Sequence, residues 1–171
     1  MKTRDLATMA LLTAILFIGQ VGMSFLPNIE IVSLLVIVYT QMYEKKVFFI
    51  IYLFALLEGL IYGFGIWWVG YLYVWSILAI VVMLLKKQKS FVVWSIVSAA
   101  FGLCFGFLFA IPYFFAGGIG AGMAYWIAGI PFDIIHCIGN AAVALVLYKP
   151  IYYILSKLIR NQRQSISTKQ I

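Results

Sequence analysis

The sequence predicts an all-α integral membrane protein, a bundle of six transmembrane helices with its N-terminus and C-terminus in the cytoplasm. Of its 171 residues, 65% are apolar and only 10% are charged, and the mean hydropathy is +1.09. An average soluble domain has about 45–50% apolar and about 25% charged residues. A soluble fold could not cover so much apolar surface, so lipid is the expected solvent around the protein. Because the apolar runs are continuous and do not alternate with polar residues, they favour helices over a β-barrel.

The apolar residues fall into six runs. About 17–25 helical residues cross a hydrocarbon core of about 30 Å, and the runs cover residues 6–25, 29–43, 47–65, 67–85, 91–115 and 123–148. The second run is the shortest, which predicts a tilted or partly re-entrant segment. The runs together predict one transmembrane, substrate-binding domain over residues 1–160. A polar, disordered tail is expected over residues 161–171.

The basic residues predict the orientation. All twelve lie before the first run, between the second and third, between the fourth and fifth, or after the sixth: Lys2, Arg4, Lys45, Lys46, Lys86, Lys87, Lys89, Lys149, Lys157, Arg160, Arg163 and Lys169. The connections at 25–29, 64–68 and 114–122 contain no lysine or arginine and are therefore expected outside, by the positive-inside rule. The formal charge of +7 then marks a rim facing the lipid headgroups and does not indicate a nucleic-acid partner.

Ionisable side chains within membrane spans are costly and are functional candidates by default. Glu58 lies well inside the third run. Asp133, His136 and Asn140 are spaced i, i+3 and i+7 in the sixth run, so they share one helical face, which should turn towards the bundle interior. Two interpretations remain open: these residues contact a ligand, or they form a clamp that ties the sixth helix to Glu58. Pro131, just before this stripe, predicts a kinked or locally opened helix.

Other polar and flexible positions lie towards the outer side. Gln20 and Glu30 are expected to contribute from there. The third outer connection is rich in glycine over residues 117–122, and this predicts a hinge or lid.

Aromatic residues cluster beside the second outer connection, at Trp67, Trp68, Tyr71, Tyr73 and Trp75. They could form an interfacial belt, because Trp and Tyr collect at membrane interfaces, or some of them could line a solute pocket. The candidate substrate-binding residues are therefore Glu58, Trp67, Trp68, Tyr71, Trp75, Tyr125, Asp133, His136 and Asn140.

Catalysis and metal binding have little support in the sequence. Glu58, Asp133 and His136 could supply three ligands, but there is a single histidine and no HExxH motif, so no metal site is predicted. The GxSxG, GxxxxGK[ST] and GxGxxG motifs are also absent. We expect no enzyme, no catalytic residues and no catalytic cofactor.

The first run carries a stripe of small residues. Ala7, Ala10 and Ala14 lie at i, i+3 and i+7 on one face, and Ala10 and Ala14 form a small-xxx-small pattern that permits close approach of another helix. Such a pattern arises either by chance in an alanine-containing helix or as a docking surface for a partner subunit.

Taken over residues 4–155, the chain resembles the substrate-binding S component of an energy-coupling factor (ECF) vitamin transporter. The likeness rests on the size, the six predicted spans, the alanine motif, the outer connections and the run from Gly129 to Asn140. The resemblance implies a multi-pass protein of the plasma membrane that binds a vitamin or related micronutrient from outside. Its partners would be a T component and two ATP-binding subunits that use ATP. The resemblance implies that Ala10 and Ala14, with an extension at Ala7, contact the T component.

The ligand class implied is a B vitamin, cobalamin, or a queuosine- or pantothenate-like precursor. A solitary proton-coupled secondary transporter, with Glu58, Asp133 and His136 as a proton relay, is the alternative.

Overall fold

The computed structural model describes residues 3–168, with side chains described up to residue 161. Within that part every regular element is helical and there is no strand, as the composition predicts. The elements are α1 (Thr3–Met23), α2 (Val32–Tyr43), a 3-10 turn (Glu44–Lys46), α3 (Val47–Tyr62), α4 (Ile66–Tyr71), α5 (Val74–Leu84) and α6 (Phe91–Thr168). Helix α6 continues into the predicted polar tail as far as Thr168. Residues 169–171 of that tail and Lys2 lie outside the described residues.

The long helix α6 is a hairpin of two arms. Its backbone departs from helical geometry only at Gly118, where φ is 74° and ψ is −174°, a region that is nearly restricted to glycine. The first arm, residues 91–117, and the second arm, from residue 119 onwards, run back along each other, so that the rings of Tyr113 and Tyr125 stack with their centres 4.0 Å apart. The loop predicted over residues 114–122 is wrong, since one glycine makes the turn and helix continues on both sides.

The centre of the bundle is α2. Every residue from Val32 to Thr40 is buried, because α1, α3, α5 and α6 all contact this helix. Its 12 residues span about 18 Å at about 1.5 Å per residue, which is short of a hydrocarbon core of about 30 Å. The prediction of a short second segment is confirmed, and the non-helical stretch 24–31 leads into it.

Basic residues from distant parts of the chain gather at one end of the bundle, here called the basic end. The Lys46 Nζ atom lies 2.9 Å from an oxygen of Asp5, which joins the start of α1 to the turn before α3. Two cavities at this end are lined in part by basic side chains, namely Arg4, Lys45, Lys46, Lys86, Lys89 and Lys149. Because α1, α3 and α6 all start there, the stretches 24–31 and 63–65 and the turn at Gly118 lie at the opposite end.

Three helical stretches are long and apolar enough to cross a membrane: Thr3–Met23, Ile66–Leu84 and Phe91–Asn161. The third includes both arms of α6. Large apolar side chains also face outwards, among them Phe115, Ile119 and Leu84, which are 88%, 79% and 78% exposed. Extensive apolar exterior marks a surface that meets lipid or another protein. The long apolar helices thus indicate insertion into a membrane.

Two predicted details differ from the structure. The run 67–85 is not one helix, because it divides into α4 and α5, and Tyr73 at the break donates a hydrogen bond of 2.5 Å to the Leu108 carbonyl. Pro131 lies in backbone of helical geometry, so the helix is not opened locally there, and the kink stays a prediction. The second arm stays helical around Pro131 because it packs closely against the first arm there.

Candidate functional site

A cavity of about 310 Å³ lies at the end of the bundle opposite the basic end. Its lining comes from the C-terminal parts of α1 and α3, the residue just after α1 and the start of α4. The lining residues are Gln20, Ser24, Glu58, Tyr62 and Trp67. Small-molecule sites usually have volumes of about 300–1,000 Å³. The cavity, here called the Glu58 cavity, therefore suits a compact ligand.

Glu58 is the one acidic residue that lines this cavity. It is 3% exposed, and its Oε1 atom has no hydrogen-bond partner among the described residues. A buried carboxylate without a partner is unfavourable, because the loss of hydration is not compensated. A ligand that brings an N–H donor or a positive charge would supply the missing partner through a charge-assisted hydrogen bond.

Aromatic rings fill the space next to the Glu58 cavity. Trp67 packs edge to face against Tyr71 with ring centres 5.2 Å apart, and Tyr71 packs in the same way against Trp75 at 5.7 Å. Trp68 has a different role, because its Nε1 atom donates a hydrogen bond of 2.8 Å to the Ala55 carbonyl and fastens α4 to α3. Of these four predicted site residues, Trp67 lines the cavity, and Tyr71 and Trp75 belong to the buried core behind it.

A second polar centre lies deeper in the bundle, around Glu30. The Glu30 carboxylate accepts a hydrogen bond of 2.8 Å from the backbone N–H of Ser33, at the start of α2, where a negative charge is favoured by the helix dipole. It also accepts a hydrogen bond from the Ser33 hydroxyl. The His136 Nε2 atom lies 3.2 Å from Glu30 Oε1, and all three side chains are buried. This pair ties the second arm of α6 to the start of α2.

Asn140 extends the same network one turn further along the second arm. Its Nδ2 atom donates to the Ser33 hydroxyl at 3.1 Å and to the Ser98 carbonyl at 3.2 Å, and the residue is 1% exposed. One amide group therefore links α2 to both arms of α6.

Asp133 joins the two arms at the other end of the stripe. Its Oδ1 atom accepts a hydrogen bond of 2.8 Å from the backbone N–H of Gly106. A Cβ atom at position 106 would overlap this carboxylate. The glycine thus allows the backbone to approach closely enough for the bond to form.

The stripe Asp133, His136 and Asn140 faces the interior as predicted, but its acidic partner is Glu30. The predicted tie to Glu58 does not form among the described contacts. The atoms Asp133 Oδ2, His136 Nδ1 and Asn140 Oδ1 have no hydrogen-bond partner in the described part of the chain. Contacts within the network therefore leave some hydrogen-bonding capacity unused, and both predicted roles, clamp and ligand contact, stay compatible with the geometry.

The predicted site residues thus form separate groups. Glu58 and Trp67 border the cavity, whereas Trp68, Tyr71 and Trp75 pack in or beside the aromatic core. The stripe belongs to the deeper network, and Tyr125 stacks on Tyr113 within the hairpin.

Sequence reasoning did not propose Ser24, Tyr62, Ser33 or Ser98 as contributors. For Ser24 there was a signal, because it lies at i+4 from Gln20 and shares its helical face. Ser33, at i+3 from Glu30, also has the spacing of a residue at a helix start that meets a capping carboxylate. Ser98 contributes to the network through its backbone carbonyl, which no side-chain pattern reveals.

The alanine stripe of α1 lies on the outside of the bundle. Ala7 and Ala10 are exposed and Ala14 is half-buried, whereas Met9, Leu12 and Leu16 on the other face are buried. The stripe is therefore accessible to lipid or to a partner helix.

Within the described residues, no three His, Cys, Asp or Glu side chains come together in a way that could hold a metal ion. Comparison of the chain with protein-family models, with curated proteins and with solved structures found no match in any of the three.

Proposed function

We propose that this chain is the substrate-binding S component of an ECF-type importer, which captures a vitamin-like solute from the outer side. It would dock on a T component that is powered by two ATP-binding subunits. In this proposal the chain crosses the plasma membrane six times, and the basic end lies in the cytoplasm.

The helices and the distribution of charge support the proposed topology. The six segments are α1, the stretch 24–31 with α2, α3, α4 with α5, and the two arms of α6. The stretch 24–31 is not helical. Its first four residues are exposed, whereas Glu30 near its end is buried at 9% exposure, and non-helical backbone is tolerated at membrane depth where protein surrounds it.

The observation that carries the proposal is the Glu58 cavity. It lies at the end that would face outside. It combines a buried carboxylate, whose Oε1 atom has no hydrogen-bond partner among the described residues, with an indole, a phenol and an amide. Sites for small ring-containing molecules typically combine aromatic walls with a small number of polar groups that point towards the ligand.

The alanine stripe supports the second half of the proposal. An S component needs a flat helical face that a T component can approach closely, and Ala7 and Ala10 are exposed on the half of α1 near the basic end.

Uptake and binding can be separated by experiment. Replacing Ala10 and Ala14 by Trp should abolish uptake in cells that contain the partner subunits, because the bulky rings block docking. Solute binding by the isolated protein should stay unchanged, since Ala14 lies about 9 Å and Ala10 about 15 Å along α1 from Gln20, towards the basic end. The matched control is Ala100→Trp, which adds the same ring at an exposed position of α6. Normal uptake by the Ala10→Trp, Ala14→Trp double variant would contradict the docking claim.

A solitary proton-coupled transporter is the second candidate. The buried His136 and Glu30 pair, with Asp133 one turn away on the same helix, has the composition of a proton relay in a membrane protein. This candidate predicts uptake that stops when the proton gradient is collapsed and continues when ATP is depleted in cells without partner subunits. The S-component proposal predicts the reverse.

A further inference from the structure

A second cavity, at the basic end, has no part in the proposed capture of a solute. Its volume is about 900 Å³, and it lies between the end of α2, the end of α5 and the base of the α6 hairpin. Four lysines line it, Lys45, Lys86, Lys89 and Lys149, against a single acidic residue, Glu44. The cavity thus has an excess of three positive charges within its lining.

None of these four lysines forms an ion pair within the part of the chain that the structure describes. The neighbouring Lys46 differs, because it is paired with Asp5. Lys149 lies over the ring of Phe91, 3.9 Å from its centre, a contact that holds the side chain at the cavity without neutralising its charge. Uncompensated lysines around one cavity attract an anion with several oxygen atoms, such as a phosphate group.

The other walls of the cavity indicate where such a phosphate would come from. Val82, Met83 and Phe91 form an apolar side. The surface next to them is also apolar, since Leu84 is 78% exposed and Val92 is 44% exposed. A soluble phosphate compound gains nothing from this side, whereas the glycerol backbone and acyl chains of a phospholipid do.

We propose that the cavity at the basic end binds the headgroup of an anionic phospholipid, with its acyl chains lying on the apolar surface beside α5 and the first arm of α6. The bound lipid joins the ends of α2, α5 and α6, whose described residues form no ion pair with one another there.

The test uses the full chain in detergent and native mass spectrometry, with dioleoylphosphatidylglycerol as the anionic probe and dioleoylphosphatidylcholine as the neutral one. The wild type is expected to retain one phosphatidylglycerol in preference to phosphatidylcholine. Each lysine near an anionic headgroup contributes about fivefold in affinity, so Lys86→Gln and Lys89→Gln should each weaken phosphatidylglycerol binding about fivefold. Lys87→Gln is the matched control, because it removes the same charge from the same connection but Lys87 does not line the cavity. It should change the affinity less than twofold.

Three results would overturn the proposal. Equal weakening by Lys87→Gln and Lys89→Gln would mean that overall charge, and not the cavity, attracts the lipid. Equal affinity for phosphatidylcholine would show that the headgroup charge is not recognised. Displacement of phosphatidylglycerol by millimolar inorganic phosphate would assign the site to a soluble anion. Because these lysines are exposed, the variants should keep the wild-type melting temperature in the absence of added lipid.

Discussion

Replacement of Gly102 by Ala should loosen the α6 hairpin that carries the polar stripe. A Cβ atom at position 102 would lie 2.8 Å from the carbonyl carbon and oxygen of His136 and 3.0 Å from the backbone nitrogen of Cys137. Ordinary contacts of a Cβ atom begin near 3.4 Å, so the arms must separate by about 0.6 Å. The contacted atoms belong to backbone, and a side-chain rotation cannot relieve the overlap.

The expected cost follows from this overlap. Overpacking of a tight core costs about 1–3 kcal/mol, whereas Ala in place of Gly within a helix gains up to about 1 kcal/mol. Gly129→Ala is the matched control, because it lies on the second arm with no atom within 4 Å of the new Cβ and receives only the gain. The free energy of unfolding should therefore differ between the two variants by about 1–3 kcal/mol, which is about 5- to 150-fold in the folding equilibrium.

The assay is reversible unfolding in mixed micelles with increasing sodium dodecyl sulfate, followed by circular dichroism. Gly102→Ala should unfold at lower denaturant than Gly129→Ala, and Gly129→Ala at the same denaturant as the wild type or higher. Coinciding unfolding curves for the two variants would refute the close packing of the arms at His136.

Two further predictions concern the same hairpin. Gly118→Ala should destabilise the protein by about 1–3 kcal/mol in the same unfolding assay, because the φ of 74° at Gly118 is unfavourable for a residue with a Cβ atom. The control Gly120→Ala has open space around its Cβ and should not destabilise the protein. Equal unfolding of the two variants would contradict a turn at Gly118. Asn140→Leu removes the hydrogen bonds to the Ser33 hydroxyl and the Ser98 carbonyl, so it should lower the unfolding free energy by about 1–2 kcal/mol. The mass and amount of any co-purified solute should stay unchanged. Loss of solute without loss of stability would instead make Asn140 a ligand contact.

The helical class and the inward stripe were predictable from the sequence. Composition alone requires an apolar solvent, and the spacing of Asp133, His136 and Asn140 places them on one face, which the cost of exposing polar groups to lipid turns inwards. All three are buried, at 5%, 3% and 1% exposure.

That Glu30 is the acidic partner of this stripe was not predictable, because it depends on how deeply the non-helical stretch 24–31 enters the bundle. The end of the stretch, residues 28–31, enters the bundle, where Gly139 makes room for it: a Cβ there would lie 3.1 Å from the Ile29 side chain and 3.2 Å from the Asn28 carbonyl. Glu30 is thereby carried from the outer side to His136. A sequence pattern fixes which face of a helix is polar, but the depth of a non-helical chain is set by tertiary packing.

The number of glycines in a segment also did not determine whether that segment forms a loop. The glycines of residues 117–122 predict a loop, yet Gly118 alone leaves helical geometry. Glycine permits a turn and does not require one, so neighbouring packing decides which glycine turns. The aromatic cluster shows the same limit, because Trp67 and Trp68 are adjacent in sequence and yet one lines the cavity while the other binds the Ala55 carbonyl.

The central claim, that the Glu58 cavity holds a small solute, is tested most directly by native mass spectrometry of the full chain purified from the cells that produce it. We predict one adduct of a small, ring-containing molecule per chain, distinct in mass from phospholipid. Glu58→Gln keeps the shape of the side chain and removes its charge, so it should weaken retention about 10- to 100-fold, the value of a charge-assisted hydrogen bond. A protein without such an adduct, or a Glu58→Gln variant that retains it as tightly as the wild type, would contradict the account.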